Sequence, residues 1–237
     1  MKVSVVLTVY NINTQFLNAC LGSLSKQTLQ DFEIVIIDDC SQQDYSYLKA
    51  KPKVRLLRNE VNLGMCKSVN AAFKVCKGDY IVRLGSDDLF NKNLLQRESE
   101  FLDRNPAYGA VCCEMEKFGR RSVYIRRTPF NLQKILDGDY KSHGYAGGMM
   151  FRRSLLKYIS IDESLPVCED FDFHLQILEC APIGTLNYVM YYYRQHESNI
   201  TLKYNKAQKL EIIKGIVKKH RSAEWQRKTA FRRIQLT

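Results

Sequence analysis

Phe32-Glu33-Ile34-Val35-Ile36-Ile37-Asp38-Asp39-Cys40-Ser41 is an apolar, largely β-branched run that stops at two adjacent carboxylates. It is too short for a typical helix and suits a strand covered on both faces. The same design recurs on either side. Upstream, Val3 to Val9 forms a similar run that meets polar Tyr10-Asn11. Downstream lie Val54 to Leu57 and then Tyr80 to Leu84, which leads into Gly85-Ser86-Asp87-Asp88. The intervening segments have helical spacing. One is capped by Asn13 or Thr14 and carries Phe16, Leu17, Cys20, Leu21 and Leu24 on one stripe. A second spans Gly64 to Val75, with Lys77-Gly78 expected as its C-cap. A third is expected to start at an Asn91 cap and to end at Asn105-Pro106. Strands alternating with helices predict a parallel sheet with right-handed crossovers, whose ligands bind beyond the carboxyl ends of the strands. Three polar clusters mark that edge here: Thr8 to Asn11, Asp38-Asp39 and Asp87-Asp88.

The second half is less regular. Val111 to Met115 and Ser122 to Ile125 read as strands, and Phe130 to Leu136 as a short helix. Gly147 to Phe151 reads as a strand entering a helix capped by Ser154. Glu169 to Glu179 is expected to be helical, Thr185 to Tyr193 a strand, and Lys206 to His220 a helix with Leu210, Ile213, Ile216 and Val217 on one side. With no repeat or clear linker, the simplest organisation is one compact domain followed by a basic C-terminal extension.

At 237 residues the chain can bury a sizeable core. Its 45% hydrophobic and 26% charged residues are ordinary for a globular protein. No run approaches the ~18 apolar residues that cross a bilayer. The opening apolar run is too short for a signal-peptide core with its cleavage site, so the expected compartment is the cytosol. The eight cysteines include no C-x-x-C pair and sit mostly in apolar segments, as core thiols of a reducing compartment would; a zinc site does not fit this spacing. The net charge of +11 is concentrated in the tail. Residues 203–237 hold 11 Lys/Arg against Glu211 and Glu224, whereas the rest holds 25 Lys/Arg against 23 Asp/Glu. A nucleic-acid binder would carry basic and aromatic residues over the body of the fold, and this body is nearly neutral.

Several side chains can carry chemistry, each beside a plainer reading. Adjacent Asp87 and Asp88 at a strand end suit Mg²⁺ or Mn²⁺, which pair one or two carboxylates with substrate phosphates; an acidic turn before a helix would look the same. Asp39 can accept a hydrogen bond from a nucleobase or ribose, or simply cap a turn. Asn62-Leu63-Gly64 and Lys67 open a helix whose N-terminus could face an anion. Glu169-Asp170-Phe171-Asp172 places carboxylates in a helix's first turn, where the dipole alone favours them, although one of them could also serve as a general base toward a substrate hydroxyl. His196 follows an apolar strand and is either a metal ligand or structural.

Taken in order, Ser4 to Asn11, Val35 to Ser41, Asn62-Leu63-Gly64 through Asn70, Gly78 to Asp88, Gly147 to Arg153, Glu169-Asp170 and Tyr193 to Ser198 resemble family 2 glycosyltransferases of the GT-A fold. The likeness covers residues 2 to 201. It implies an α/β GT-A fold over residues 1–202, with a Rossmann-like, mostly parallel central sheet flanked by helices. Residues 1–105 would form the nucleotide-binding half and 106–202 a smaller, mixed acceptor half, with 203–237 as a basic helical extension.

The resemblance also implies an inverting, metal-dependent transfer from a nucleotide-sugar, expected to be a UDP-sugar, to a hydroxyl of a glycan or lipid-linked glycan. Thr8, Tyr10 and Asp39 would hold base and ribose, with Val9, Asn11, Asn62, Lys67, Arg83, Gly85, Ser86, Asp87, Gly148 and Glu169 lining the substrate. Asp87, Asp88 and His196 would hold Mn²⁺ or Mg²⁺, and Asp170 would be the base. Gly144 to Met150 are expected near the acceptor. Gly85 departs from the family, standing where many members carry the first acidic residue of the motif, and Val69 stands where one subgroup carries Arg. A sugar-phosphate nucleotidyltransferase would share the sheet and the metal, but it needs a glycine-rich basic loop after the first strand, where this chain has Thr8-Val9-Tyr10-Asn11. The basic tail, with Leu210, Ile213 and Val217 at helical spacing, suits contact with the anionic cytoplasmic membrane face; the stripe could equally pack on the body.

Overall fold

The computed structural model describes residues 1–125, 130–140 and 148–222. Its centre is a nine-stranded mixed sheet. Strands β1 (Val3–Val9), β2 (Phe32–Asp38), β3 (Val54–Arg58) and β4 (Tyr80–Arg83) are mutually parallel in the order β3-β2-β1-β4. Helices α1 (Thr14–Ser25) and α2 (Met65–Val75) make two of the connections. A short 3₁₀ turn (Ser46–Ala50) lies between β2 and β3.

The sheet continues through elements of the second half. β8 (Met150–Arg152) pairs antiparallel with both β4 and β6 (Ala110–Phe118), and β9 (Ile183–Arg194) runs parallel to β6. β5 (Leu89–Phe90) pairs antiparallel with β9, and β7 (Val123–Ile125) with β6. β5 has only two residues, too few for any periodicity, and was not legible in the sequence. Helices α3 (Leu94–Arg104), α4 (Leu132–Leu136), α5 (Glu169–Cys180) and α6 (Lys206–Arg221) complete the fold.

Side chains of successive strand residues point to opposite faces, which splits the core in two. Val3, Val5, Leu7, Ile34 and Ile36 face one side, packed with Leu17, Cys20 and Leu24 of α1 and Leu94, Leu95 and Leu102 of α3. Val6, Val35 and Ile37 face the other, against Val69, Ala72 and Phe73 of α2 and Phe173 and Ile177 of α5. A third cluster joins Ile135 of α4, Phe171 and Leu175 of α5, and Ile216 and Val217 of α6. The apolar stripe of α6 is thus partly used up by the body: Ile216 and Val217 are buried, while Leu210 stays exposed. All eight cysteines are free thiols, with Cys20, Cys76, Cys112 and Cys113 buried.

Three cap assignments differ from the sequence reading. Cys76, with extended backbone, ends α2, and Gly78 instead lies so close to β1 that a Cβ would sit 2.6 Å from the Val3 carbonyl carbon. Asn91 does not cap α3, which starts after Asn93; its side chain accepts from the Asn93 N–H at 3.1 Å in a local turn. Ser154 sits inside a 3₁₀ turn (Arg153–Lys157) with no side-chain cap. Asn13 does cap α1, accepting from the N–H groups of Gln15 and Phe16.

Candidate active site

The carboxyl ends of β1, β2 and β4 converge, as parallel pairing in register requires. At the end of β2, Asp39 is buried and doubly engaged. Its Oδ1 accepts from Leu63 N and Asn59 Nδ2, and its Oδ2 from Gly64 N, at 2.7–2.8 Å. Asn62 Nδ2 adds a bond to the Asp39 carbonyl at 3.3 Å. Asp39 therefore ties the Asn62-Leu63-Gly64 turn, and with it the start of α2, to the end of β2. Asp38 beside it accepts from Arg58 and from Ser41 N. Asn11 and Ser41 link the loops after β1 and β2: Asn11 N donates to Ser41 Oγ at 3.0 Å, and Gln42 N to Asn11 Oδ1 at 2.8 Å. Tyr10 and Asn11 are exposed at this rim, Thr8 is half-buried, and Val9 turns its side chain into the core. Lys67 is exposed in the first turn of α2.

Three of the four non-glycine residues with positive φ among the described residues border this edge: Asn11, Cys40 and Cys168. That backbone region is costly for L-residues and persists where the surroundings hold it.

The two acidic residues after β4 have different fates. Asp88 is buried; its Oδ2 accepts from the Tyr191 hydroxyl, and its Oδ1 from Arg194 N at 2.7 Å. Burial, and next the charge of Asp87, push its pKa up to about 7. Tyr191, buried and facing that carboxylate, is raised well above its ordinary value, burial again being the main cause. Asp87 points the other way, its Oδ2 lying 2.7 Å from His196 Nε2 and 3.4 Å from Asn199 Nδ2. His196 Nδ1 lies 2.8 Å from Ser198 Oγ. Gly85 makes this geometry possible: a Cβ there would run into Asp88 Oδ2 and lie 2.9 Å from Asp87 Oδ1. Gly148 (φ +71°) plays a similar part for the phenol, since a Cβ would press on Tyr191 at 3.0–3.2 Å.

Among the described residues no group of three His, Cys, Asp or Glu is set to hold a metal. Asp87 with His196 offers one carboxylate oxygen and one imidazole nitrogen. That is a suitable protein share for a hard cation whose remaining positions come from phosphate and water.

Helix α5 brings the remaining carboxylates. Cys168, left-handed at φ +64°, turns the chain into α5. Glu169 is buried and its Oε1 lies 3.4 Å from an Arg83 guanidinium nitrogen, which fastens the start of α5 to the end of β4. Burial first, then the charge of Asp170, raise its pKa, and Arg83 opposes them. Arg83 thus serves a carboxylate rather than facing open solvent. Asp170 is half-buried, and Phe171 N donates to its Oδ1. Asp172 is fully buried and faces α6, where Lys219 Nζ (2.8 Å) and His220 Nε2 (3.0 Å) meet its Oδ1. Burial works to raise its pKa, but the bonds from His220 and Lys219 outweigh it and hold it below the usual range.

Sequence reasoning overlooked Tyr191, Arg194 and Asn199. Tyr191 lies in a tyrosine-rich strand that reads as core, so nothing local marked it. Arg194 and Asn199 flank His196 closely enough to have been flagged with it. Within the loop expected to meet the acceptor, Gly144 to Gly147 lie outside the described residues, and Met149 and Met150 are buried in the core.

The family model described as Glycosyl transferase family 2 matches residues 4–160. An uncharacterised glycosyltransferase of Haemophilus influenzae is 30% identical over 190 residues, covering 74% of this chain and 62% of that protein. Glycosyltransferase GlyG of Streptococcus pneumoniae is 24% identical over 218 residues, covering 84% and 72%. The chain thus spans less than two thirds of the Haemophilus relative. Among solved structures, S. aureus TarS residues 1–349 in complex with UDP-GlcNAc superposes with a TM-score of 0.78 at 22% identity, covering all of this chain and 71% of that one. The mixed sheet with flanking helices is the GT-A fold of these neighbours.

Proposed function

This chain belongs to glycosyltransferase family 2, and from that premise we propose that it moves a hexosyl or N-acetylhexosaminyl group from a UDP-sugar to a hydroxyl of a glycan or lipid-linked glycan, with inversion and with the help of Mn²⁺ or Mg²⁺. The observation that carries this reading is the meeting, at one sheet edge, of the Asp39 turn, the Asp87–His196 pair and the start of α5. TarS, similar in fold, has been captured with UDP-GlcNAc, which supports a uridine donor.

The residues divide the work by exposure and by partners. Thr8, Tyr10, Asn11 and the Asn62-Leu63-Gly64 turn that Asp39 braces would hold the nucleoside. Asp87 and His196 would hold the cation, which supplies charge neutralisation on the departing diphosphate when bound. Asp88 is better suited to bracing, because both its oxygens are taken by Tyr191 and Arg194. Asp170 would be the base. It removes the proton of the acceptor hydroxyl as that oxygen attacks the anomeric carbon opposite the nucleotide; the C–O bond to the diphosphate breaks and UDP leaves. Asp172 is engaged by α6, and Glu169 is buried against Arg83, which leaves Asp170 the more accessible of the three.

Asp170→Asn keeps the size and removes the basicity. A positioned base typically contributes ~10²–10⁴-fold, so turnover should fall by that factor while UDP-sugar binding, measured calorimetrically, persists. Retention of more than about a tenth of wild-type turnover would move the base to Glu169.

The same reading includes a peripheral membrane contact. With Ile216 and Val217 buried, the exposed large apolar residues near it among the described residues are Ile200, Leu202 and Leu210, interspersed with Lys203, Lys206 and Lys209. Residues 223–237 of the basic tail lie outside the described residues. Flotation with anionic liposomes should exceed flotation with neutral ones, and equal recovery would remove the membrane from the reading.

A further inference from the structure

Arg194 is held in an unusual way. Its guanidinium carbon lies 4.5 Å from the centre of the Phe16 ring and 4.6 Å from that of Phe118. In contact with both rings, it donates from Nε to the Asp87 carbonyl at 2.7 Å, while its backbone N–H holds Asp88 Oδ1 at 2.7 Å. The Phe16 ring also packs on the His196 imidazole, with centroids 5.1 Å apart and planes tilted by 43°. One side chain of α1 therefore touches both the cation that fixes the Asp87 backbone and the imidazole that meets the Asp87 carboxylate. Phe16 sits in the first turn of α1, three residues beyond the Asn13 cap and just after the Tyr10-Asn11 rim.

We propose that Phe16 is a positioning residue for the Asp87–His196 pair: it holds Arg194 together with Phe118 and sets the plane of the His196 ring, so that a divalent cation and the nucleotide diphosphate find the two ligands already aligned. The physical case is preorganisation. A two-ligand protein share leaves the cation dependent on orientation, and a guanidinium free to rotate would release the Asp87 carbonyl. An aromatic face serves both contacts because its negative quadrupole attracts a guanidinium and packs with imidazole edges, which an aliphatic side chain of equal volume cannot do. In this role Phe16 acts through Arg194 and His196, the two side chains its ring meets. This inference rests on the reading of Asp87 and His196 as cation ligands.

The test titrates MnCl₂ calorimetrically into the full chain with saturating UDP, comparing wild type, Phe16→Leu, Phe16→Trp and His196→Ala, with melting temperatures measured alongside. Partners of metal ligands typically change affinity by 10–100-fold, so Phe16→Leu should weaken Mn²⁺ by about 10-fold. Its melting temperature should change little, and Phe16→Trp, which keeps a π-face, should recover most of the loss. If Phe16→Leu binds Mn²⁺ as tightly as wild type while His196→Ala binds it weakly, the positioning role is wrong and the ligand assignment stands. If His196→Ala matches wild type, or wild type itself binds no Mn²⁺, the ligand assignment fails and the positioning role falls with it. Should Phe16→Leu fail to fold, Phe118→Leu probes the second ring that meets Arg194. Mn²⁺ affinity must then fall for the proposal to survive.

Discussion

Replacing His220 by alanine should loosen the last helix from the body by a pH-dependent amount. His220 is fully buried, with Nδ1 2.7 Å from Glu179 Oε1 and Nε2 3.0 Å from Asp172 Oδ1. Burial works to lower its pKa, but the two carboxylates outweigh it and raise the imidazole above its ordinary value, so the ring is charged where free histidine is already neutral. Removing one partner of a buried ion pair costs about 3–5 kcal/mol, because the remaining charge is left without compensation. Lys219 still reaches Asp172, so the lower end applies, about 3 kcal/mol. For a chain of this size each kcal/mol moves the melting temperature by about 2–4 °C, giving a drop of about 6–12 °C.

The sign with pH follows from linkage. A raised folded-state pKa stabilises fully below the unfolded value of about 6.5 and loses that contribution as pH rises through the folded value. Asp172, held low, contributes above about pH 4 and loses its part as pH falls. The gap between wild type and His220→Ala should therefore be widest between about pH 4.5 and 6.5 and should narrow in alkali. Thermal melts at pH 6 and pH 9 measure it. A gap below about 2 °C at pH 6, or an equal gap at both pH values, would refute the buried-imidazolium argument.

Gly85→Ala should cost about 1–3 kcal/mol, since the new methyl runs into Asp88 Oδ2 and must displace it from Tyr191; an unchanged denaturation midpoint would show that the turn has room to spare. Asp87→Asn should abolish the Mn²⁺ dependence of UDP binding, whereas Asp88→Asn, which keeps an acceptor for the Arg194 N–H and lets the Tyr191 hydroxyl accept from its amide, should preserve most of it. Calorimetry with and without EDTA separates the two, and the reverse order would exchange their roles. Glu169→Gln removes the charge facing Arg83 and should lower donor affinity or turnover only modestly; a loss as deep as that of Asp170→Asn would make Glu169 the base.

The parallel half of the fold was legible because its signals are local. The runs at Val3, Phe32, Val54 and Tyr80 are buried on both faces and so read as continuous apolar stretches, and the polar clusters that end them mark the sheet edge. The candidate residues Asp39, Asp87, Asp88, Asp170 and His196 were visible for the same reason, as polar side chains at element ends in a recognisable order. What the sequence could not determine is how neighbours divide their work, because that depends on contacts across long stretches of chain. Asp87 and Asp88 are adjacent and chemically identical, yet Tyr191 and Arg194, more than a hundred residues away, turn Asp88 inward and leave Asp87 to His196. Asp170 and Asp172 share a helical turn, and only the docking of α6 takes Asp172 out of solvent. The stripe on α6 was readable as amphipathic, but the surface it meets was not. Periodicity records that a face is apolar, while only tertiary packing decides whether that face is covered by its own fold or left for a partner.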